Sequence, residues 1–361
     1  MSRGAKLLAT LCAIVLGGCL LRGGWSQRME TVRPAAAGNA SPTAVASPAG
    51  TPTPTVTLSP VASDDPYESM ARSLHLLGVH VWFETDLVAA WREGPAAFDQ
   101  VLARLGTLAS VPGVRGFKVA DELGYNDGLT SGAEATAFLR AADAGLARVA
   151  PHAQLLVDVV VPELGCLAWT SRGSQSCADE ARAKHPAASQ AAVSGYLRAG
   201  LVDRLDLSTS LLDEWTYQGW GLGQAQAQAE AWSHVKSLGW QHETVLQARK
   251  ALADVGGYQG SQLQASHDVR TFVAVPVSAG AQAVDVWTWR QPYDGHTVSL
   301  LDDRLEPNAL WRSLAAQHRE GVHLFTHITP SMLLPTKAQQ KREYARFAEL
   351  FDAAFVAAGT G

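Results

Sequence analysis

Cysteine is scarce in this chain, charge is sparse and nearly balanced, and beyond the first twenty residues there is no long apolar run. Each shortage removes a class of protein. The four cysteines include Cys12 and Cys19 at the extreme N-terminus, leaving Cys166 and Cys177, too few for a zinc site. A formal charge of -5 supplies no basic surface for nucleic acid. With no later apolar run of about 18 residues, no membrane span is expected there. There is no Gly-rich phosphate or dinucleotide loop after the first candidate strand, no His-Glu-x-x-His helix and no Gly-x-Ser-x-Gly elbow. Nucleotide, zinc-protease and serine-nucleophile chemistry therefore lack their usual signatures, and no cofactor is expected.

What is present begins with Arg3 and Lys6, an apolar stretch from 7 to 16, and then Gly17, Gly18 and Cys19. That is the layout of a secretory signal, too short to span a bilayer. Leu16-Gly17-Gly18-Cys19 resembles the lipobox of bacterial lipoproteins, whose cysteine is acylated and becomes the first mature residue; an ordinary secretory signal is the alternative. The resemblance implies a signal peptide over 1–18, lipidation at Cys19, and attachment through several acyl chains to the outer face of the cytoplasmic membrane, or another extracytoplasmic location. In that oxidising setting the pair Cys166 and Cys177 reads as a disulfide worth about 3 kcal/mol by loop entropy, with two free thiols as the alternative. From 19 to 65 the chain is dominated by Ala, Pro, Ser, Thr and Gly, as in Ser47-Pro48-Ala49-Gly50-Thr51-Pro52. Such a composition buries too little apolar surface to offset its ordering entropy, so a disordered tether is expected.

Residues 66–361 are expected to form one domain. Short β-branched runs at 78–84, 114–121, 154–161, 202–209, 244–249, 283–289 and 323–327 alternate with Ala-rich stretches of helical period at 95–109, 132–149, 178–199, 225–238, 266–278, 308–319 and 336–358. Strand then helix, repeated seven times, predicts an α/β fold of the (β/α)8 or TIM-like barrel type with one strand unlocated; a doubly wound open sheet is the alternative.

In a barrel, alternate strand residues face the axis. This places Trp82 and Glu84, then Lys118, Asp158, Asp206, Arg249 and Asp285 on the inward side, and buried charges must pair. Most of these are expected to neutralise one another. Active sites of barrels form at the C-terminal strand ends, where Glu84, Asp121, Glu122, Glu163, Asp213, Glu214 and Arg290 stand with Trp82, Trp215, Trp287 and Trp289. Carboxylates beside indole platforms suit glycoside cleavage, in which one carboxyl protonates the leaving oxygen and another attacks or activates water.

The runs Gly116-Phe117-Lys118-Val119-Ala120-Asp121-Glu122-Leu123 and Asp285-Val286-Trp287-Thr288-Trp289 resemble the glycosidase-type (β/α)-barrel superfamily. In its large retaining clan the acid/base glutamate follows an asparagine on the fourth strand, whereas here Asp121 precedes Glu122 on the second. The residues themselves point to Glu122 as acid/base and Glu84, one strand away, as its partner carboxylate, since neighbouring strands lie about 4.8 Å apart. Glu163, Asp213 and Glu214 are substitutes for the partner. Trp82, Trp287, Trp289, Arg290 and Asp121 are the candidate substrate contacts, and the expected partner is a carbohydrate. The competing reading is a non-catalytic solute-binding or scaffold lipoprotein on the same barrel.

Overall fold

The computed structural model describes residues 65–357. The signal, Cys19 and the tether through residue 64 lie outside the described residues. In chain order the strands are β1 (His80–Glu84), β2 (Val114–Ala120), β3 (Gln154–Val160), β4 (Arg204–Ser208), β5 (Val245–Ala251), β6 (Asp254–Val255), β7 (Ala283–Trp287), β8 (Arg290–Tyr293), β9 (His296–Ser299), β10 (Leu324–Ile328) and β11 (Ala353–Ala357). β11, β1, β2, β3, β4, β5, β7 and β10 pair side by side in parallel, and β10 pairs back onto β11 to close a (β/α)8 barrel. The short strands β6, β8 and β9 form an antiparallel ribbon beyond the C-terminal ends of β5 and β7.

The strand missing from the sequence reading is β11. Its Ala-Ala-Phe-Val-Ala composition favours helix on propensity, and the expected helix 336–358 absorbed it; the helix stops at Ala348. Small side chains suit this strand because it is buried on both faces at the closing seam. The helix expected over 178–199 is likewise broken, into Gln175–Lys184 and Gln190–Arg198, at Pro186, whose ring cannot be accommodated in a helix interior. The helical layer between β11 and β1 is filled by Pro66–Leu76 at the start of the described chain, capped by the Asp65 carboxylate accepting the Tyr67 and Glu68 amides.

Alternation divides the core in two. Outward-facing Val81, Phe83, Phe117, Val119, Val157, Val159, Leu205 and Leu207 pack under the helices in the main apolar core. The barrel's N-terminal end is plugged by a separate cluster of Trp82, Leu156, Ala283, Phe325, Ala353 and Phe355. Arg204 stacks there between the Trp82 and Phe325 rings, 5.3 Å from each centroid. Gly116 makes room for this plug: a Cβ there would sit 2.6 Å from Trp82 Cζ3 and 2.2 Å from the Gln154 carbonyl oxygen.

Candidate active site

Above the apolar plug the barrel interior turns ionic. Lys118, fully buried, places Nζ 2.7 Å from Asp158, 3.2 Å from Asp121 and 3.6 Å from Glu84. Burial works against its charge, but Asp158, Glu84 and Asp121 outweigh that and hold its pKa well above the ordinary lysine value. Arg249 from β5 reaches the other Asp158 oxygen at 2.7 Å. On the opposite side His327 bridges Glu84 (Nδ1, 2.8 Å) and Asp285 (Nε2, 2.9 Å). Burial lowers the imidazolium and the two carboxylates more than restore it, to about 9. His327 reaches Glu84 across β11, where Ala357 is the residue in register with Glu84 and fills little space.

Asp206 stands apart. It is in register with Asp158 on β3 and Gln247 on β5, fully buried, and neither carboxyl oxygen has a hydrogen-bond partner among the described residues. Burial, with Asp285 and Asp158 nearby, drives its pKa well above the carboxylate range. Burial also lifts Asp158, to about 8, against the pull of Arg249 and Lys118.

The mouth is set by a backbone turn. Glu122 follows β2 with φ 56°, the left-handed region that few non-glycine residues occupy. It is held there by its own N–H, which donates to Asp158 Oδ1 at 2.7 Å. The turn interrupts strand alternation, so the consecutive carboxylates Asp121 and Glu122 both point to the axis. Glu122 Oε1 lies 3.4 Å from Arg249 Nη2, three strands away around the barrel, and Oε2 accepts from Asn126 Nδ2. The Asp121 and Glu122 side chains remain 35% and 21% exposed. Burial raises the Asp121 pKa, yet Lys118 and Arg249 hold it well below the usual carboxylate range. Ser210, just beyond β4, has φ 51°. Non-glycine residues held in this region gather at sites where the surrounding structure fixes an unfavourable geometry.

The sequence candidates separate by height along the strands. Glu84 faces inward as expected but lies level with Lys118, below the mouth, only 7% exposed and engaged by His327 and Lys118. Trp82 faces inward too, but it belongs to the N-terminal plug at 2% exposure, so it is no substrate platform. Trp289 is also corrected: the strand ends at Trp287, and Trp289 enters the outer layer against Trp311, Phe347 and Phe351, its Nε1 donating to Glu343 at 2.9 Å. Arg290 is buried, with Nη1 on Asp303 and Nε 3.8 Å from Glu343. Trp287 alone of the three indoles stays partly exposed at the rim, edge-on to Tyr293 of the ribbon with centroids 5.3 Å apart.

The substitutes for the partner carboxylate have structural occupations. Glu163 is buried, bound to Arg182 and to the Gln190 amide. Asp213 caps the helix Glu214–Gly219, and Glu214 accepts the Gln224 amide. Trp215 is exposed on that same helix. Cys166 and Cys177 form the expected disulfide, across a separation of 11 residues.

His327, central to this network, is not among the sequence candidates. Its signal was alternation: in Leu324–Ile328 it shares a face with Phe325, inward at the seam. His80 lies at the other end of β1, exposed beside Arg115.

No family model and no curated protein matches this chain. Solved structures of similar fold include a probable tagatose 6 phosphate kinase from Sinorhizobium meliloti, at 16% identity over 77% of this chain and 64% of that one, TM-score 0.44. The carboxyl transferase domain of Rhizobium etli pyruvate carboxylase matches at 12% identity over 85% of this chain and 47% of that one, TM-score 0.41. A putative deoxyribose-phosphate aldolase from Toxoplasma gondii matches at 13% identity over 80% of this chain and 91% of that one, TM-score 0.41. The chain thus spans less than two thirds of the first two, and what the three have in common with it is the barrel fold.

Proposed function

We propose that this protein is an extracytoplasmic, lipid-anchored, carbohydrate-active hydrolase working at the C-terminal mouth of its barrel. One observation carries the reading: a left-handed turn after β2 aims two consecutive carboxylates, Asp121 and Glu122, across a mouth whose floor is a buried ionic network. Glu122 is the general acid. Its side chain stays partly exposed at the mouth, with Arg249 3.4 Å from one oxygen and Asn126 donating to the other, placed to protonate a leaving oxygen. Asp121, kept ionised by Lys118 and Arg249, opposes the positive charge that builds at the anomeric carbon or activates water. Glu84, shut in below the mouth, fits a supporting part: with His327 it fixes Lys118, which in turn fixes Asp121. Trp287 offers the rim a ring face for a sugar.

The ion pairs that already engage Lys118, Arg249 and His327 favour a second reading, a ligand-binding barrel without turnover, in which the same charges only shape the mouth. A panel of chromogenic glycosides and polysaccharides, applied to the wild type and to Glu122→Gln, separates them. Hydrolysis of at least one substrate, falling by about 10²-fold or more in the variant, supports the hydrolase. Binding with no turnover in either form establishes the second reading.

A further inference from the structure

We infer that this protein carries a second glycan-binding site, a polysaccharide platform on the barrel rim beyond β3 and β4, apart from the two mouth carboxylates; the glycan class rests on the carbohydrate-hydrolase reading above. The loops that follow β3 and β4 form one outcrop with a small apolar core of its own, in which Leu167 meets Tyr217 and Leu222. The loops are tied to each other across it: the Tyr217 hydroxyl donates to the Gly165 carbonyl at 2.8 Å, and Arg172 Nη1 to the Gly221 carbonyl at 3.2 Å. The Cys166–Cys177 disulfide closes the β3 loop. Each loop also holds a non-glycine residue in the left-handed region, Leu167 at φ 52° and Ser210 at φ 51°. Such positions persist only where the surrounding structure fixes them, and a fixed surface binds with less ordering cost.

Among the described residues two tryptophans are exposed, and both stand on this outcrop: Trp215 at 82% and Trp169 at 36%. One exposed indole would mean little; two on a single braced outcrop mark a contact surface. Trp169 lies flat on His234, with ring centroids 3.8 Å apart and 9° between the planes, and Gln190 holds that imidazole at 2.9 Å. One indole face is covered from behind, so the exposure falls on the other face and the edges. Trp215 projects from the first turn of the helix Glu214–Gly219, which is held by the Asp213 cap and by Glu214 accepting from Gln218 and Gln224.

The surroundings of the rings select the occupant. Residues 166–182 and 211–224 carry two arginines, Arg172 and Arg182, against four carboxylates, Asp179, Glu180, Asp213 and Glu214. Both arginines are engaged, Arg172 by the Gly221 carbonyl and Arg182 by Glu163 and Asp179. An acidic balance disfavours anionic headgroups, which a membrane-seated indole would need basic neighbours to meet. Flat apolar faces set among amide, hydroxyl and carboxylate groups match the C–H faces and hydroxyls of a sugar chain. The outcrop stands at the same barrel end as Glu122, whose N–H is held by Asp158 of β3. A polysaccharide seated at the mouth and leaving it over β3 and β4 therefore meets these rings.

The test uses the full chain with Cys19→Ala, alone and with Glu122→Gln. The probes are insoluble β-1,4-glucan, chitin and peptidoglycan sacculi, scored by pelleting, and vesicles of phosphatidylglycerol with phosphatidylcholine. A panel of chromogenic monosaccharide glycosides reports the mouth alone. At least one polymer is expected to pellet the protein, with Glu122→Gln pelleting as well as its parent. Trp215→Ala and Trp169→Ala are each expected to weaken that binding about tenfold, the worth of one lost ring contact, and to leave the rate on any hydrolysed monosaccharide glycoside unchanged. Trp215, at 82% exposure, removes no buried contact when truncated, so its variant probes the surface and not the fold. No pelleting with any polymer, pelleting indifferent to both tryptophans, or Trp215-dependent binding to the vesicles instead overturns the inference. An equal loss on the monosaccharide glycoside would assign the rings to the mouth and overturn it too. Hydrolysis of a small glycoside without Trp-dependent polymer binding would remove the platform and leave the hydrolase reading standing. Trp-dependent polymer binding with no hydrolysis of any substrate would uphold the platform and remove the hydrolase.

Discussion

Replacing Lys118 with methionine removes the ammonium from the centre of the network while keeping much of its volume. Three carboxylates, Asp158 at 2.7 Å, Asp121 at 3.2 Å and Glu84 at 3.6 Å, lose their shared partner. Breaking a buried ion pair from one side costs about 3 to 5 kcal/mol, because the remaining charge stays desolvated. For a domain of this size that corresponds to a melting temperature lower by roughly 10 °C. The effect should depend on pH with a definite sign. In the wild type the depressed pKa of Asp121 contributes stability above its unfolded value and loses it as pH falls toward the folded one. Lys118→Met removes much of that contribution, so the gap between the proteins should be full near neutrality and narrow only as pH falls below about 4, the ordinary aspartate value. Urea unfolding followed by circular dichroism at several pH values measures both features. A deficit under about 1 kcal/mol at pH 7, or a gap that widens on acidification, would refute the view of Lys118 as the hub of the buried charges.

Other perturbations probe separate parts of the account. The His327 imidazolium, raised from 6.5 to about 9, contributes stability fully present below pH 6.5 and lost as pH climbs to 9. The loss should be about 3 kcal/mol, absent in His327→Gln and visible as a flat urea midpoint over that window. Asp206 has a raised pKa, so it weakens the fold increasingly as pH rises above the ordinary carboxylate range. Asp206→Asn should therefore unfold at the same or a higher temperature at pH 7, and a clearly lower one would show that the carboxylate is ionised and satisfied. Cys19→Ala should release the protein from the membrane fraction, as scored by fractionation; unchanged membrane association would exclude the lipid anchor.

Much of the barrel was legible because its strands repeat a period of two, and the residues assigned to the axis, Lys118, Asp158, Asp206, Arg249 and Asp285, all lie there. The pairing of Lys118 and Arg249 with Asp158 was legible too, because buried charge must pair, whereas Asp285 meets His327 instead and Asp206 meets no partner among the described residues. Alternation, however, gives the face of a residue and not its height. Trp82 and Glu84 both face inward as read, yet one belongs to the plug and the other to the network below the mouth. Trp289 failed differently: alternation was carried past Trp287, where the strand stops and the chain turns to the outer layer. β11 was hidden because alanine at a crowded seam looks, in sequence, like alanine in a helix. The pairing of Asp121 with Glu122 at the mouth depends on a left-handed φ at a glutamate, for which residue identity carries almost no signal.

The general-acid assignment of Glu122 is tested most directly by the dependence of Glu122→Gln on the leaving group. On a dinitrophenyl glycoside, whose departure needs no proton, the variant should keep nearly the wild-type rate of the first step; on the matching unactivated glycoside it should lose about 10²-fold or more. Equal losses on both substrates, or none on either, would contradict it.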